Sequence, residues 1–128
     1  MTNIDQTIFK TYDIRGVYPD QVNAELAYGL GLAYAKLFRP KQVAIGYDVR
    51  THSPELAKAL IKGLTESGVD VVSIGPISTE LIYFAVGHYG YDGGICVTAS
   101  HNPAEYNGFK MVKRWAEPIT GETGIKQL

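Results

Sequence analysis

The sequence has few of the features that mark secreted, membrane-spanning or nucleic-acid-binding proteins. Its 128 residues include one cysteine, so no disulfide can form within the chain. No stretch approaches the ~18 consecutive apolar residues of a membrane-spanning helix, and the segment Met1 to Lys10 has no apolar stretch long enough for a signal peptide. Twelve Lys and Arg against thirteen Asp and Glu leave a net charge of -1, whereas nucleic-acid-binding domains normally show a basic excess. These absences predict a cytoplasmic protein that contacts neither nucleic acid nor membrane.

The composition is that of one folded domain. Hydrophobic residues make up 45% and charged residues 20% of the chain, which excludes a disordered or collagen-like polypeptide. Domains typically have roughly 100–200 residues, so the length fits one domain that can bury a core without disulfides or a structural metal. The cysteine, Cys96, lies in the apolar run Gly94 to Val97, which indicates a small buried side chain rather than a reactive thiol.

Apolar runs and helical patterns alternate along the chain. Three runs rich in apolar and β-branched residues are typical of buried strands: 43–47, 69–74 and 93–98. Three stretches with apolar residues at helical spacing follow helix-start signals. The expected capping residues are Asn23, Ser53, which is followed by Pro54, and Ser78 or Thr79. This alternation predicts parallel strands covered by helices.

A fourth strand is expected from Gly108 to Lys113, after a turn at Asn107-Gly108. The loop from Thr98 to Asn107 is too short for a helical crossover, so this strand should run antiparallel to the third. The expected fold class is α/β: a three-layer α/β/α domain with a mixed, mainly parallel sheet and one antiparallel strand. Residues 121–128 are expected to begin a further helix. Gly29-Leu30-Gly31, inside the first helix, indicates close helix packing rather than a dinucleotide site.

Polar clusters follow the predicted strands, and ligands of open α/β sheets gather beyond the carboxyl ends of strands. The clusters are residues 48–52, 78–80 and 98–103. In the last one, Asn102-Pro103 restricts the backbone to a turn, which can direct the Ser100 hydroxyl and consecutive N–H groups toward an anion. Lys110, on the returning strand, would add a positive charge, and such an arrangement suits phosphoryl transfer. Residue types alone nevertheless favour an ordinary polar turn.

Five stretches of sequence are more specific together than any one of them alone. They are Phe9 to Gly16, Gly46 to Arg50, Gly75 to Thr79, Thr98 to Pro103, and Tyr106 to Lys110. In this order they resemble motifs of the α-D-phosphohexomutases, the phosphomannomutase/phosphoglucomutase family, and the fourth resembles the family's phosphoserine loop. The resemblance covers nearly the whole chain. It implies that residues 1–128 are a fragment corresponding to the family's first domain.

The resemblance implies a role for each candidate site residue. Ser100 would be phosphorylated, would pass its phosphoryl group to the sugar, and would supply one ligand of Mg²⁺ through its phosphate. His101, Tyr12, Arg15 and Lys110 would line the site. Tyr12, Arg15 and Lys110 would bind the substrate, and His101, Arg15 and Lys110 would be catalytic beside Ser100. Arg15 and Lys110 are the better candidates for charge stabilisation and proton transfer, because cations stabilise a phosphoryl group in transfer. The implied reaction interconverts hexose 1-phosphate and hexose 6-phosphate, of the mannose/glucose type, through a hexose bisphosphate.

The chain also differs from the family pattern. Tyr47 stands where the family usually has arginine, and Glu80 follows Thr79 where proline is usual, so local loop shape is expected to differ. The family's enzymes have four domains, whereas this chain resembles the first and has no Asp-x-Asp metal motif. One phosphoserine does not complete a Mg²⁺ site, so the other ligands are expected from the second domain. The chain alone is expected to be inactive; the alternative is a free-standing, non-catalytic phosphosugar-binding module.

Overall fold

Helices and strands make up most of the described chain. The computed structural model describes residues 4–10, 13–99 and 102–119. The helices are α1 (Ala24–Phe38), α2 (Ser53–Glu66) and α3 (Thr79–Tyr89). The strands are β1 (Ile14–Val17), β2 (Gln42–Tyr47), β3 (Asp70–Pro76), β4 (Gly93–Val97), β5 (Tyr106–Lys113) and β6 (Glu117–Pro118). Across these three ranges, the structure has no helix with the length and apolar character needed to span a bilayer.

The strands form one mixed sheet in the order β1-β5-β4-β2-β3, with β6 also paired to β5. β2 pairs in parallel with β3 and β4. β5 pairs antiparallel with β1, β4 and β6. Among the strands of the described residues, β5 is therefore antiparallel to all the others. The predicted three-layer α/β/α fold with a mixed, mainly parallel sheet and one antiparallel strand is confirmed.

The capping signals at α1 and α3 place the starts of these helices correctly. Asn23 caps α1, since its Oδ1 accepts a hydrogen bond from the backbone N–H of Leu26 at 2.9 Å. Ser78 caps α3, since its Oγ accepts one from the N–H of Leu81 at 3.4 Å. Both side chains satisfy N–H groups that have no partner inside the helix.

Two local predictions are wrong. Ser53 does not cap α2: the helix begins at Ser53 after His52, and the Ser53 hydroxyl donates to Asp48 Oδ1 at 2.6 Å. A carboxylate accepts a stronger hydrogen bond than a neutral group, which explains why the hydroxyl turns away from the helix end. Asn107-Gly108 is not a turn, because both residues lie inside β5. The side chain of Asn107 is buried and bonded there, so tertiary contacts override the local preference for a turn.

The helices cover the two faces of the sheet unequally. α1 and α2 pack on one face and α3 on the other.

α1 and α2 cross closely at two glycines. A Cβ on Gly63 would lie 2.3 Å from the Tyr28 carbonyl oxygen, and a Cβ on Gly31 would lie 2.6 Å from the Leu60 carbonyl oxygen. The close helix packing predicted for this part of α1 is confirmed.

Two further side chains of the core, those of Cys96 and Tyr34, are fully buried. Cys96 is fully buried as predicted, and burial raises the pKa of its thiol to about 11. Tyr34 is also fully buried, and its hydroxyl donates to the Val112 carbonyl oxygen at 2.8 Å. β1 and β6 were not predicted. The helix expected at 121–128 lies outside the described residues.

Candidate functional site

Two polar loops meet at the carboxyl edge of the sheet because β2 and β4 are parallel neighbours. Tyr47 pairs with Val97 at the end of their register, so Asp48 and Thr98 leave the sheet side by side. The backbone N–H of Asp48 donates to the Val97 carbonyl oxygen at 3.0 Å. Of the three predicted polar clusters, the structure joins described residues of the first and the third: 48–52 and 98–103.

Arg50 links the loop after β2 to the loop after β4. Its Nε donates to Asp48 Oδ2 at 3.2 Å. Its Nη2 donates to the carbonyl oxygen of Asn102 at 2.8 Å, and its Nη1 donates to those of Pro103 at 2.7 Å and Tyr106 at 3.2 Å. The Arg50 side chain is only 13% exposed. One guanidinium, largely shielded from water, therefore binds two carbonyl groups of the loop after β4 and that of the first residue of β5.

The Asp48 carboxylate is held by donors from several segments. Its Oδ1 accepts hydrogen bonds from the Ser53 hydroxyl at 2.6 Å and the backbone N–H of Arg50 at 3.1 Å. Burial raises the pKa of this carboxyl. Hydrogen bonds from Ser53, Thr98 and the Arg50 N–H, together with the Arg50 charge, outweigh that effect and hold the pKa below its ordinary value of 3.8. Asp48 is therefore ionised at neutral pH and already engaged by donors.

A second network, centred on Asn107, holds the far side of the loop. The buried amide Nδ2 of Asn107 donates to His52 Nδ1 at 2.7 Å and to Ser53 Oγ at 2.9 Å. With Nδ1 accepting, the proton of the neutral His52 ring lies on Nε2, which donates to the Ala104 carbonyl oxygen at 3.2 Å. Asn107 Oδ1 accepts from the N–H of Gly108 at 2.8 Å. Sequence reasoning missed this role, because the Asn-Gly pair indicated a turn.

Tyr18 braces the same loop from the side of β1. Its ring stacks on that of His52, with centroids 4.3 Å apart and an interplanar angle of 13°. Its hydroxyl donates to Glu55 Oε2 at 2.6 Å, and its backbone N–H donates to the Glu105 carbonyl oxygen at 2.8 Å. The loop after β4 is thus contacted from the β2 loop, from the start of α2 and from the segment after β1.

Arg15 and Lys110 lie on one face of the sheet near this edge. Arg15 pairs with Gly108, and Lys110 pairs with Cys96. Because Lys110 is two residues from Gly108, both cationic side chains point to the same face, which is the α3 face that contains Cys96. Both side chains are partly exposed. Within the described ranges, neither makes an ion pair, so the two positive charges remain available to an anion.

Three predicted site residues, Tyr12, Ser100 and His101, lie outside the described residues. The described residues on either side of Ser100 and His101 are Ala99 and Asn102. The backbone N–H of Asn102 donates to the Ala99 carbonyl oxygen at 3.1 Å, and its Nδ2 donates to the same oxygen at 2.7 Å. These two hydrogen bonds join the described residues that flank Ser100 and His101 in the sequence.

The remaining predicted cluster, 78–80, stands apart from this loop. Ser78 is engaged as the cap of α3. In the part of the chain that the structure describes, no hydrogen bond connects residues 78–80 with 48–52 or with 102–107. Thr79 instead hydrogen-bonds the thiol of Cys96, the sheet partner of Lys110, so this cluster lies on the α3 face of the sheet.

The described residues do not form a Mg²⁺ site by themselves. Among them, no group of three His, Cys, Asp or Glu side chains is placed to hold a metal ion. One carboxylate at this edge, Asp48, already accepts hydrogen bonds from Ser53 and Arg50. Mg²⁺ prefers octahedral coordination by several carboxylate, phosphate and water oxygens. These side chains therefore do not fit the ion on their own.

The fold and the braced loop define a class: an α/β/α domain whose polar chemistry lies at the carboxyl ends of parallel strands. Residues 6–127 match the family model described as phosphoglucomutase/phosphomannomutase, alpha/beta/alpha domain I. The chain belongs to this family and corresponds to its first domain.

Relatives and solved structures agree with this assignment. A protein named phosphomannomutase from Escherichia coli (strain K12) is 51% identical over 122 residues, covering 95% of this chain and 27% of the relative. Another, from Klebsiella pneumoniae, is 49% identical, with 95% and 78% covered. The X-ray structure of a phosphoglucomutase/phosphomannomutase family protein from Burkholderia thailandensis superposes with a TM-score of 0.88 at 42% identity, covering 98% of this chain and 29% of that one. The chain thus spans little more than a quarter of the E. coli relative.

Proposed function

We propose that this chain is the phosphoserine-carrying domain of a phosphohexomutase that interconverts hexose 1-phosphate and hexose 6-phosphate of the mannose/glucose type. Ser100 carries the phosphoryl group. Family membership and the names of the relatives support the reaction class. The observation that carries the proposal is the hydrogen bonding of Asn102 to Ala99 and to Arg50 beside the Ser100 position, with Arg15 and Lys110 on the adjoining strands β1 and β5.

In this proposal the phosphoryl group moves in two half-reactions. The Oγ–P bond of phosphorylated Ser100 breaks as a sugar hydroxyl oxygen bonds to phosphorus; that hydroxyl gives its proton to a base, and Ser100 Oγ takes up a proton. The resulting hexose bisphosphate reorients, and its other phosphoryl group returns to Ser100 Oγ, which gives up its proton while the sugar oxygen takes one up. Such transfer depends mainly on positioning and on neutralising charge.

Arg15 and Lys110 supply the positive charge. Both point to the α3 face of the sheet, where a transferring phosphoryl group would meet them. Lys110 is the candidate for proton transfer, because an ammonium can lose a proton whereas a guanidinium stays charged. His101 and Tyr12 complete the substrate side of the site.

The proposed enzyme also includes a Mg²⁺ ion and further domains. When bound, Mg²⁺ would neutralise charge on the Ser100 phosphate, and its remaining ligands belong to other domains of the same cytoplasmic enzyme. The chain alone is proposed to be inactive, since it spans 27% of the E. coli relative.

A chimeric enzyme tests the proposed function. Residues 6–127 replace the matching domain of E. coli phosphomannomutase, and the turnover of mannose 1-phosphate and glucose 1-phosphate is measured. We expect turnover in the chimera and a loss of roughly a thousandfold or more for Ser100→Ala, because the variant lacks the phosphoryl carrier. Ser73→Ala, which alters an exposed serine of β3, should keep the activity of the chimera.

The outcomes separate the proposal from its alternative. Normal turnover with Ser100→Ala would contradict the phosphoserine role. A folded chimera that binds hexose phosphate without converting it would favour a non-catalytic phosphosugar-binding module.

A further inference from the structure

We propose that Arg50 is a positioning residue that holds the loop after β4 in the shape required for phosphoryl transfer at Ser100. This inference rests on the proposed function, because Ser100 is the residue to be positioned. Among the described residues, Arg50 donates to the carbonyl oxygen of Asn102, which lies two residues after Ser100 in the sequence.

Three carbonyl oxygens, two from the loop after β4 and one from the first residue of β5, converge on the Arg50 guanidinium. Those of Asn102, Pro103 and Tyr106 lie 2.7–3.2 Å from its terminal nitrogens. Carbonyl oxygens that point at a common centre repel one another unless donors stand between them. Arginine offers five N–H donors in a planar fork, whereas lysine offers three from a single nitrogen. Lysine at this position cannot serve the same partners with the same geometry.

Arg50 is itself fixed from the side of β2. Its Nε donates to Asp48 Oδ2, and Asp48 is tied to β4 by its backbone bond to Val97 and to α2 by its bond from Ser53. The guanidinium therefore holds the loop in a fixed position relative to the sheet edge. A loop held in this way before substrate arrives reaches the transition state with less reorganisation.

Hydrogen exchange of the 128-residue chain measures the hold on the loop. The N–H groups of Asn102 and Tyr106 bond within the loop, to Ala99 and Pro103, and report its opening. In Arg50→Lys we expect their exchange to accelerate about tenfold or more, because charge-assisted hydrogen bonds to the loop are lost. Arg114→Lys is the matched control: Arg114 also donates to a carboxylate, that of Asp92, and has no hydrogen bond to the described residues of the loop.

The chimeric enzyme measures the consequence for catalysis. We expect Arg50→Lys to lower kcat roughly tenfold or more with little change in KM, since a misplaced carrier affects transfer more than sugar binding. Arg114→Lys should leave both constants unchanged. Should Arg50→Lys fail to fold, the double variant Asp48→Asn, Arg50→Gln takes its place, because it leaves no unpaired carboxylate.

Each result decides the inference. Unchanged exchange at Asn102 and Tyr106 would overturn it, and so would faster exchange with an unchanged kcat. Faster exchange with a lower kcat supports it. Failure of the proposed function shows separately, as a lack of turnover or of dependence on Ser100 in the chimera with Arg50 intact.

Discussion

The Asp48 carboxylate couples the protonation of one residue to the stability of the fold. Burial raises its pKa, but hydrogen bonds from Ser53, Thr98 and the Arg50 N–H, with the Arg50 charge, lower it by more. A carboxyl with a lower pKa in the folded than in the unfolded chain stabilises the fold above its unfolded pKa, near 3.8. This contribution is lost as the pH falls through the lower pKa of the folded state.

Asp48→Asn should expose this contribution. At pH 7 we expect the free energy of unfolding to fall by about 1 kcal/mol, a modest value because the carboxylate is partly exposed. The difference from the unsubstituted chain should shrink as the pH drops below 3.8. Urea unfolding of both proteins from pH 7 to pH 3 measures it, with Asp70→Asn, on the exposed start of β3, as the reference for losing a carboxylate. A difference that stays constant down to pH 3 would contradict the account.

For individual residues, the sequence predicts that Asp48 and Arg50 lie at a strand end, because polar residues follow an apolar run there. It could not show that Arg50 reaches Asn102, Pro103 and Tyr106, because its partners are backbone carbonyls, which every residue has. Nor could it show that Asn107 is buried: an Asn-Gly pair favours a turn locally, and only the tertiary contacts of β5 decide otherwise.

The packing of α1 against α2 depends on two glycines that face the neighbouring backbone. A methyl group on Gly63 would lie 2.3 Å from the Tyr28 carbonyl oxygen, so the helices would have to move apart. Gly87 in α3 is exposed, and nothing lies within 4 Å of the same added atom. The two positions therefore separate the steric effect of alanine from its helix propensity.

Gly63→Ala should destabilise the chain by about 1–3 kcal/mol through overpacking. Gly87→Ala should stabilise it by roughly 0.5–1 kcal/mol, because alanine loses less conformational entropy in a helix. Thermal or urea unfolding of both variants checks the pair. Equal effects of the two substitutions would show that the close crossing of α1 and α2 is not required.

Elements with a strong local pattern could be predicted from the sequence, and elements that depend on distant partners could not. α1 and α3 have capping residues and apolar spacing that fix their starts. β1 is four residues long and includes Arg15 and Gly16, and β6 has two residues. Both are strands because β5 offers them hydrogen-bonding partners, and that pairing has no signature in their own residues.

For the whole molecule, the order of elements determined most of the architecture. Alternating strands and helices implied parallel pairing, and the short connection from β4 implied that β5 reverses direction. The candidate site follows from that topology, because the loops after β2 and β4 lie at the same edge of the sheet. The proposed role of Ser100 rests on the motif resemblance, because residue types alone fit an ordinary turn as well.

Localising the phosphoryl group on the protein tests the central claim most directly. The chimeric enzyme is incubated with glucose 1,6-bisphosphate, digested, and its phosphopeptides are fragmented in a mass spectrometer. We predict one phosphate, on Ser100, which disappears in Ser100→Ala and persists in Ser73→Ala. Phosphate at a different residue, or none on an enzyme that turns over hexose phosphate, would contradict the assignment.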